Sequence, residues 1–460
     1  MSDNLAFYGT SADTEYLAAL KTCVSGATTF VKLDKVTTLL EVVLYCSERN
    51  VTGIISTSIP LLSKLLNWNK TKAPALSNYA GSLFRIPVKS TNSYIECLFV
   101  EPLKQTITVP YGRFLLKRHV DKLTRKDMWF PEIKFNWNIL YPDNAEEAFN
   151  KLSSAFLIAI DIETFKNKAQ IRCIAFCGFW YSKSGDGSIV SHSYVLPLDS
   201  EFNLLWMRRF CWELRAPKVF QNGKYDINYL LRYNAPVYNY LYDTANMFHC
   251  WYSELPKDLA SLNAFFIREA IYWKDLAETD DLHEYYRYNA LDTWTTGVSL
   301  LAMITEMPKF AFDNYLLEFP VVFPCILAEM TGVKRDVARL ESARASKQAE
   351  DGKTVASLRN ILSAPSFNPG SSQQVVKLLT ILGCKDIDSS DEKALTKARF
   401  RHPFNGRILG YVATSRKARK LLTTYLTTGE DAKEFKGRIL YALNPHGTDS
   451  SRLASKEHHP

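Results

Sequence analysis

The run Phe156-Leu-Ile-Ala-Ile-Asp161-Ile-Glu163-Thr164 decides the fold of the middle of this 460-residue chain. Its apolar lead reads as a strand, and side chains alternate along a strand, so Asp161 and Glu163 share one face at its end. Two carboxylates on one face repel, and Asp is disfavoured in strands. A cation between them resolves the conflict; a solvent-exposed strand end is the plain alternative. A second apolar strand, IRCIAFCGFWY from Ile171 to Tyr181, follows a short polar stretch, and helical patterns come later. That succession predicts an α/β domain around a mostly buried sheet.

Two further acidic contexts lie downstream. Asn222-Gly-Lys-Tyr-Asp226 follows the short strand Lys218–Phe220 and opens a helix. Asp226 falls in the first helical turn, where the helix dipole favours negative charge with or without a ligand. Tyr288-Asn-Ala-Leu-Asp292 places Tyr288 and Asp292 on one helical face, a turn apart. In isolation that fragment equally fits a buried Tyr beside a surface Asp.

The ordered set of D-x-E on a strand, N-x-x-x-D at a helix start and Y-x-x-x-D on a helix resembles the DEDD exonuclease superfamily in its tyrosine branch. The resemblance implies an RNase H-like sheet flanked by helices. It implies that Asp161, Glu163, Asp226 and Asp292 hold two divalent metal ions, Mg²⁺ or Mn²⁺, beside the 3′ end of a nucleic-acid strand. Hard cations take oxygen ligands, and a metal pair both activates water and neutralises a leaving oxygen. By the same resemblance Tyr288 and Glu163 orient the attacking water, and Asn222 fixes backbone near the site. Asp243, in the run Tyr242–Met247, is a structural hydrogen-bonding residue. Tyr285 and Tyr286 read as packing residues, and Phe165 as a wedge against a terminal base. Tyr288 stands where some relatives carry His, so neither His249 nor His283 is a first-choice base.

The C-terminal region carries a second resemblance. Glu329-Met-Thr-Gly-Val333 with Asp336, Ser366-Phe-Asn-Pro-Gly-Ser371 with Gln374, Asp391-Glu-Lys-Ala-Leu395, Arg416–Leu426, Gly437-Arg-Ile439 and Asn444-Pro-His-Gly-Thr448 followed by Ser451–Ser455 occur in order. They are similar to the opening of the polymerase module of family A DNA polymerases, most closely phage-type ones. The likeness implies a thumb helix at Arg416–Leu426. Lys417, Arg419 and Lys420 would touch phosphate, with Arg438, Thr448 and Arg452 approaching the duplex at the palm edge. Charge agrees: residues 331–460 hold 23 Lys and Arg against 13 Asp and Glu, while the rest hold 33 against 35. A basic segment suits a polyanion, although a solvated basic face has the same composition. No match to the palm carboxylate motifs or the fingers follows. The expectation is therefore a polymerase split between two polypeptides, a gene interrupted by an intron or intein, or a shortened chain, with a second polypeptide supplying palm and fingers.

Residues 1–145 show a helix over Lys35–Arg49, a strand at Gly53–Ser56, strand-like runs Ser82–Val88, Tyr94–Val100 and Thr106–Val109, and a basic helix near Arg113–Leu123. No metal, nucleophile or phosphate motif is visible there. Lys117-Arg118-His119 reads as a surface helix face. The whole chain, 47% hydrophobic and 23% charged with a net charge of +8, excludes disorder, collagen and low complexity. No run of about 18 apolar residues predicts a membrane helix. Nine scattered Cys without a CxxC pair predict reduced thiols and a cytoplasmic setting. Cys173 and Cys177 read as core residues.

The combined expectation is an α/β N-terminal domain (1–145), an RNase H-like 3′→5′ exonuclease domain (146–305) and a mostly helical thumb-like region (306–460). The function it implies is proofreading in DNA replication, on a single-stranded 3′ end and a primer–template duplex, with no membrane partner. The alternatives are an RNase D-like RNA-trimming exonuclease and a DNA-binding scaffold with a vestigial nuclease.

Overall fold

The structure is a computed structural model that describes residues 4–9, 13, 15–24, 30–32, 38–88, 93–166, 170–384, 386–426, 434–435, 438–448 and 450–456. The chain divides into two compact units, one of residues 1–326 with 444–454 and one of residues 327–443 with 455–460.

The first unit holds two sheets. Strands β1 (Leu5–Tyr8), β2 (Phe30–Lys32), β3 (Gly53–Ser56), β4 (Leu83–Val88) and β5 (Ser93–Phe99) lie in the order β2-β1-β3-β5-β4. All pairs are parallel except β4 with β5. Parallel strands are buried on both faces, and alternation sorts the side chains accordingly. Helices α1 (Leu17–Cys23), α2 (Leu39–Glu48), α3 (Ile59–Leu65), α4 (Leu103–Thr108) and α5 (Gly112–Thr124) cover it. Ala6, Ile54 and Cys97 pack with Val42 and Cys46 of α2 and Leu61 and Leu62 of α3. Leu5, Phe7, Ile55 and Leu98 pack with Leu20 of α1 and Leu116 and Val120 of α5. The result is a three-layer sandwich. Helix α2 begins at a capping box in which Thr38 and Glu41 satisfy each other's backbone N–H; positions 35–37 of the expected helix lie outside the described residues.

Two expectations for this region are corrected. Thr106–Val109 is not a strand, since Thr106–Thr108 close α4. Its β-branched residues favour extension, but Pro102 caps the helix start and the Thr106 hydroxyl bonds back to the Pro102 carbonyl at 3.3 Å. Gly112 then lets α5 pass close, because a Cβ there would lie 1.8 Å from the Thr106 carbonyl oxygen. Nor is Lys117-Arg118-His119 a surface face. Arg118 makes a bidentate ion pair with Glu306 at 2.7 and 2.8 Å and donates to the Phe265 carbonyl; His119 is buried, and Lys117 alone of the three is largely exposed.

The second sheet contains β6 (Trp137–Ile139), β7 (Leu157–Thr164), β8 (Ile171–Tyr181), β9 (Ile189–Pro197), β10 (Lys218–Phe220) and β11 (Tyr240–Asp243), in the order β11-β10-β7-β8-β9-β6. Strands β7, β8 and β9 form an antiparallel meander; β10 and β11 continue parallel to β7. Strand β6 arises within the turn-rich stretch ahead of the expected domain and pairs with β9. Helices α6 (Ala145–Leu152) and α7 (Glu201–Glu213) meet the even-numbered face of β8, where Phe176 stacks on Phe210 at 5.0 Å and Phe149 closes on Phe210. Phe176 and Phe210 are fully buried, each contributing about 2 kcal/mol. Helix α8 (Lys224–Arg232) follows β10, α9 (Thr244–Trp251) follows β11, and then come α10 (Leu259–Phe266) and the 25-residue α11 (Leu282–Glu306). Tyr285 and Ala290 of α11 pack on Cys173 and Ala175, the odd-numbered face of β8. The domain is thus an RNase H-like sheet between helices. All nine cysteines are free thiols.

Helices α12 (Lys309–Glu318) and α13 (Val322–Thr331) form one apolar stretch, Lys309–Thr331, long and apolar enough to cross a membrane by length and composition; it carries Lys309, Asp313, Glu318 and Glu329. The second unit is mostly helical: α14 (Val337–Ile361), α15 (Ser372–Ile381), α16 (Glu392–Arg401) and α17 (Gly406–Lys420) close around Leu358, Leu379, Leu395, Leu409 and Val412. The C-terminal landmarks of the sequence turn out to be punctuation for these elements. Gly332 stops α13 at φ 63°, and Asp336, Ser371 and Asp391 cap α14, α15 and α16. The helix expected at Arg416–Leu426 is the end of α17, which runs to Lys420 and passes into one π-helical turn, Leu421–Tyr425.

Candidate active site

The carboxyl ends of the parallel strands supply the acids, as α/β sheets commonly do for their sites. Asp161 and Glu163 end β7. Beside them β10 ends at Phe220, and Asn222 turns the chain at φ 55°, a left-handed conformation that Asn tolerates. Asp243 holds that turn: it accepts the N–H groups of Asn222 and Gly223 and the Tyr240 hydroxyl, and it caps α9 through the Asn246 N–H. With all of these bonds it is a framework residue. The turn starts α8, whose first-turn Asp226 is buried and accepts the Ile162 N–H at 3.0 Å.

Helix α11 brings Tyr288 and Asp292 against β7 from the other side. Both are buried. Oxygen atoms of Asp161, Glu163 and Asp292 all lie within 4.8 Å of one another, and Asp226 adds its charge to Asp161. Burial, and then Asp226, Asp292 and Glu163, hold the Asp161 carboxyl well above the usual carboxylate range; Lys274 opposes them. Burial, then Asp292, push Glu163 up to about 8. Burial likewise raises Asp226 well above its ordinary value, despite the Ile162 N–H that favours its charged form. This is crowded negative charge with too little protein cation to balance it. Hard oxygen donors in that state fit divalent ions such as Mg²⁺ or Mn²⁺. Burial, then Asp292 and Glu163, raise the Tyr288 phenol far above its usual value, so it stays protonated and acts as a hydrogen-bond partner.

Sequence reasoning missed three residues here. Asn289 donates from Nδ2 to Asp161 Oδ2 at 2.7 Å and receives the Cys173 thiol at 3.5 Å. Trp273 donates its indole N–H to Asp292 Oδ1 at 2.6 Å, and Lys274 donates to Asp292 Oδ2 at 2.5 Å and to the Tyr288 hydroxyl at 3.1 Å. Asn289 sits inside the Tyr288–Asp292 motif itself; nothing in the spacing of Trp273-Lys274 marks them. Tyr285 does more than pack, since its hydroxyl reaches Glu163 Oε2 and the Thr164 carbonyl, both at 3.4 Å. Phe165 is exposed at the rim, and Arg172 lies over the Tyr285 ring at 4.1 Å and 5.7 Å from that of Phe165. His283 is tilted over Trp137 at 4.9 Å and His249 is buried.

The predicted DNA-contact residues separate into two kinds. Lys417 and Lys420 project from α17 into solvent. Arg419 is engaged within its own unit, with Asp351 at 3.2 Å and Asn368 at 2.6 Å, and Arg438 donates to the carbonyls of Thr331 and Gly332. Arg452 is exposed in a turn closed by its own N–H and carbonyl on the Thr448 hydroxyl.

No family model matches the chain, and no curated protein matches it. Among solved structures it is similar to the POL domain of Pol1 from M. smegmatis in complex with DNA primer-template and dNTP, at 16% identity and a TM-score of 0.51, over 70% of this chain and 54% of that one. A lesser likeness, at 17% identity and a TM-score of 0.25, is to Trypanosoma brucei RNase D in complex with RNA U12, over 38% of this chain and 64% of that one. The chain thus spans about half the length of the polymerase chain it matches, and what it shares with that chain is the fold.

Proposed function

We propose that this chain is a metal-dependent 3′→5′ exonuclease acting on DNA, the proofreading portion of a phage-like family A DNA polymerase. The observation that carries the reading is the gathering of Asp161, Glu163, Asp226 and Asp292 with Tyr288 at the carboxyl ends of β7 and β10. The four carboxylates would hold two divalent ions, which when bound supply an activated water and neutralise the leaving 3′ oxygen. The chain's own residues do the rest. Asn289 fixes the Asp161 carboxylate, and Tyr288, kept protonated, donates its hydroxyl hydrogen bond to the attacking water opposite Glu163. Phe165, exposed at the rim, offers its ring to an unpaired terminal base. Lys417 and Lys420 meet duplex phosphates, which position DNA without reading its sequence.

The test is release of mononucleotides from the 3′ end of labelled single-stranded DNA and RNA, with Mg²⁺, Mn²⁺ or chelator. Metal-dependent release from DNA, lost in a folded Asp161→Ala variant, is the expected result. Full activity in that variant overturns the assignment, and preference for RNA transfers it to the RNA-trimming alternative. DNA binding without hydrolysis under any metal leaves only the scaffold alternative.

A further inference from the structure

Asp292 enters the site with both carboxylate oxygens engaged: Oδ1 with the Trp273 indole N–H at 2.6 Å, Oδ2 with the Lys274 ammonium at 2.5 Å. The same ammonium reaches the Tyr288 hydroxyl at 3.1 Å and lies 5.0 Å from the centre of that ring. Trp273 and Lys274 are consecutive and lead into a short 3₁₀ turn, Lys274–Glu278. One anchoring segment therefore sets the orientation of two side chains that come from another element, α11. Trp273 and Tyr288 also share an apolar cluster with Leu259, which holds the anchor in place.

Each carboxylate oxygen has two lone pairs, so neither contact closes Asp292 to a further partner. What Lys274 changes is charge. Its side chain is only 27% exposed and that of Asp292 only 4%, so a positive charge at this distance is poorly screened and opposes any other cation at the same carboxylate.

Resting on the exonuclease reading above, we propose that Lys274 is a tethered positive charge that aligns Asp292 with Tyr288 and weakens divalent-cation binding at Asp292. It is a positioning residue whose two effects have opposite signs. Loss of the charge should tighten metal binding and slow hydrolysis at once, whereas loss of a merely structural contact would weaken both. The weaker of two cations would fill at high metal, or together with a polyanionic substrate whose charge offsets that of Lys274.

The experiment is equilibrium titration of the full chain with Mn²⁺, free ion being read by electron paramagnetic resonance, for the wild type and for Lys274→Met, Lys274→Gln, Lys274→Arg and Asp161→Asn. Lys274→Met and Lys274→Gln should bind the weaker Mn²⁺ at least about tenfold tighter. At saturating Mn²⁺ both should release 3′ nucleotides at least about tenfold more slowly, with KM for DNA little changed. Lys274→Arg should restore wild-type affinity. Folded Lys274→Met or Lys274→Gln protein binding Mn²⁺ no tighter than wild type overturns this inference and leaves the exonuclease reading standing. A wild type with no Mn²⁺ site sensitive to Asp161→Asn overturns both.

Discussion

Replacing Glu163 by Gln should make the metal-free protein more stable while it destroys the proposed activity. Burial and Asp292 raise the Glu163 carboxyl from 4.5 to about 8. A group whose folded pKa is raised contributes stability that is complete below its unfolded pKa and is lost as pH climbs to the folded one. Between pH 4.5 and pH 8 the wild type therefore loses stability relative to Glu163→Gln. At pH 7 the loss has accumulated over two and a half pH units, or about 3 kcal/mol at 1.36 kcal/mol per unit, taken as an upper figure. Gln keeps an oxygen to accept from the Tyr285 hydroxyl, so little else changes. Urea unfolding in chelator at pH 5, 7 and 8 is the assay. The variant should gain about 1–3 kcal/mol at pH 7, less than about 1 kcal/mol at pH 5, and lose its advantage when Mg²⁺ is added. An unchanged or reduced stability of Glu163→Gln at pH 7 in chelator would refute the claim that burial and Asp292 disfavour the Glu163 carboxylate.

Asn289→Leu removes a donor at 2.7 Å from buried carboxylate and should lower nucleotide release by about 10–100-fold, the cost of one hydrogen bond to a charged group, measured at saturating metal. Burial, then Lys122 and Arg118, lower His119 from 6.5 to about 3; the unfolded chain takes up this proton first as pH falls, so up to about 5 kcal/mol of stability is lost between pH 6.5 and 3, and His119→Gln should flatten that acid limb in unfolding titrations. Lys417→Ala with Lys420→Ala should weaken duplex binding and reduce its salt dependence by about two counterions. Arg419→Ala should instead lower the unfolding midpoint of the second unit, because its guanidinium joins Asp351 to Asn368; fluorescence anisotropy and thermal melts separate the two outcomes.

Half of the second sheet, strands β7, β8 and β10, was legible because its determinants are local. The alternating pattern of Phe156–Thr164 places Asp161 and Glu163 together without any knowledge of their neighbours, and the β7–β8 register sets Asp161 opposite Ala175 and Glu163 opposite Cys173. The caps at Asp336, Ser371 and Asp391 are local for the same reason. Part of what was misread depends on partners far along the chain. Arg118 looks like a surface charge until Glu306, 188 residues away, closes on it. Thr106–Val109 has strand composition, and only the Pro102 start and the bare backbone of Gly112 make the helix the better packed choice.

The same division runs through the site. A residue that must bear charge at a strand end breaks a local pattern and is conspicuous, as Asp161 does in β7. A residue that merely balances that charge breaks nothing. Lys274 follows Trp273 in a polar stretch where a lysine is ordinary, and it acquires meaning only when α11 sets Asp292 and Tyr288 against it. Asn289 is intermediate, since it stands within a motif but one position off the Tyr288–Asp292 face, and it meets Asp161 because α11 lies close enough to the sheet for both faces of that turn to touch β7 and β8. Helix α11 can come that close because Gly297 has no side chain: a Cβ there would stand 2.1 Å from the Phe179 ring. A methyl group at position 297 would therefore push α11 off the sheet and act on the site through Asn289 and Asp292 without touching either, so Gly297→Ala should impair nucleotide release and stability together, whereas Asn289→Leu should spare the fold.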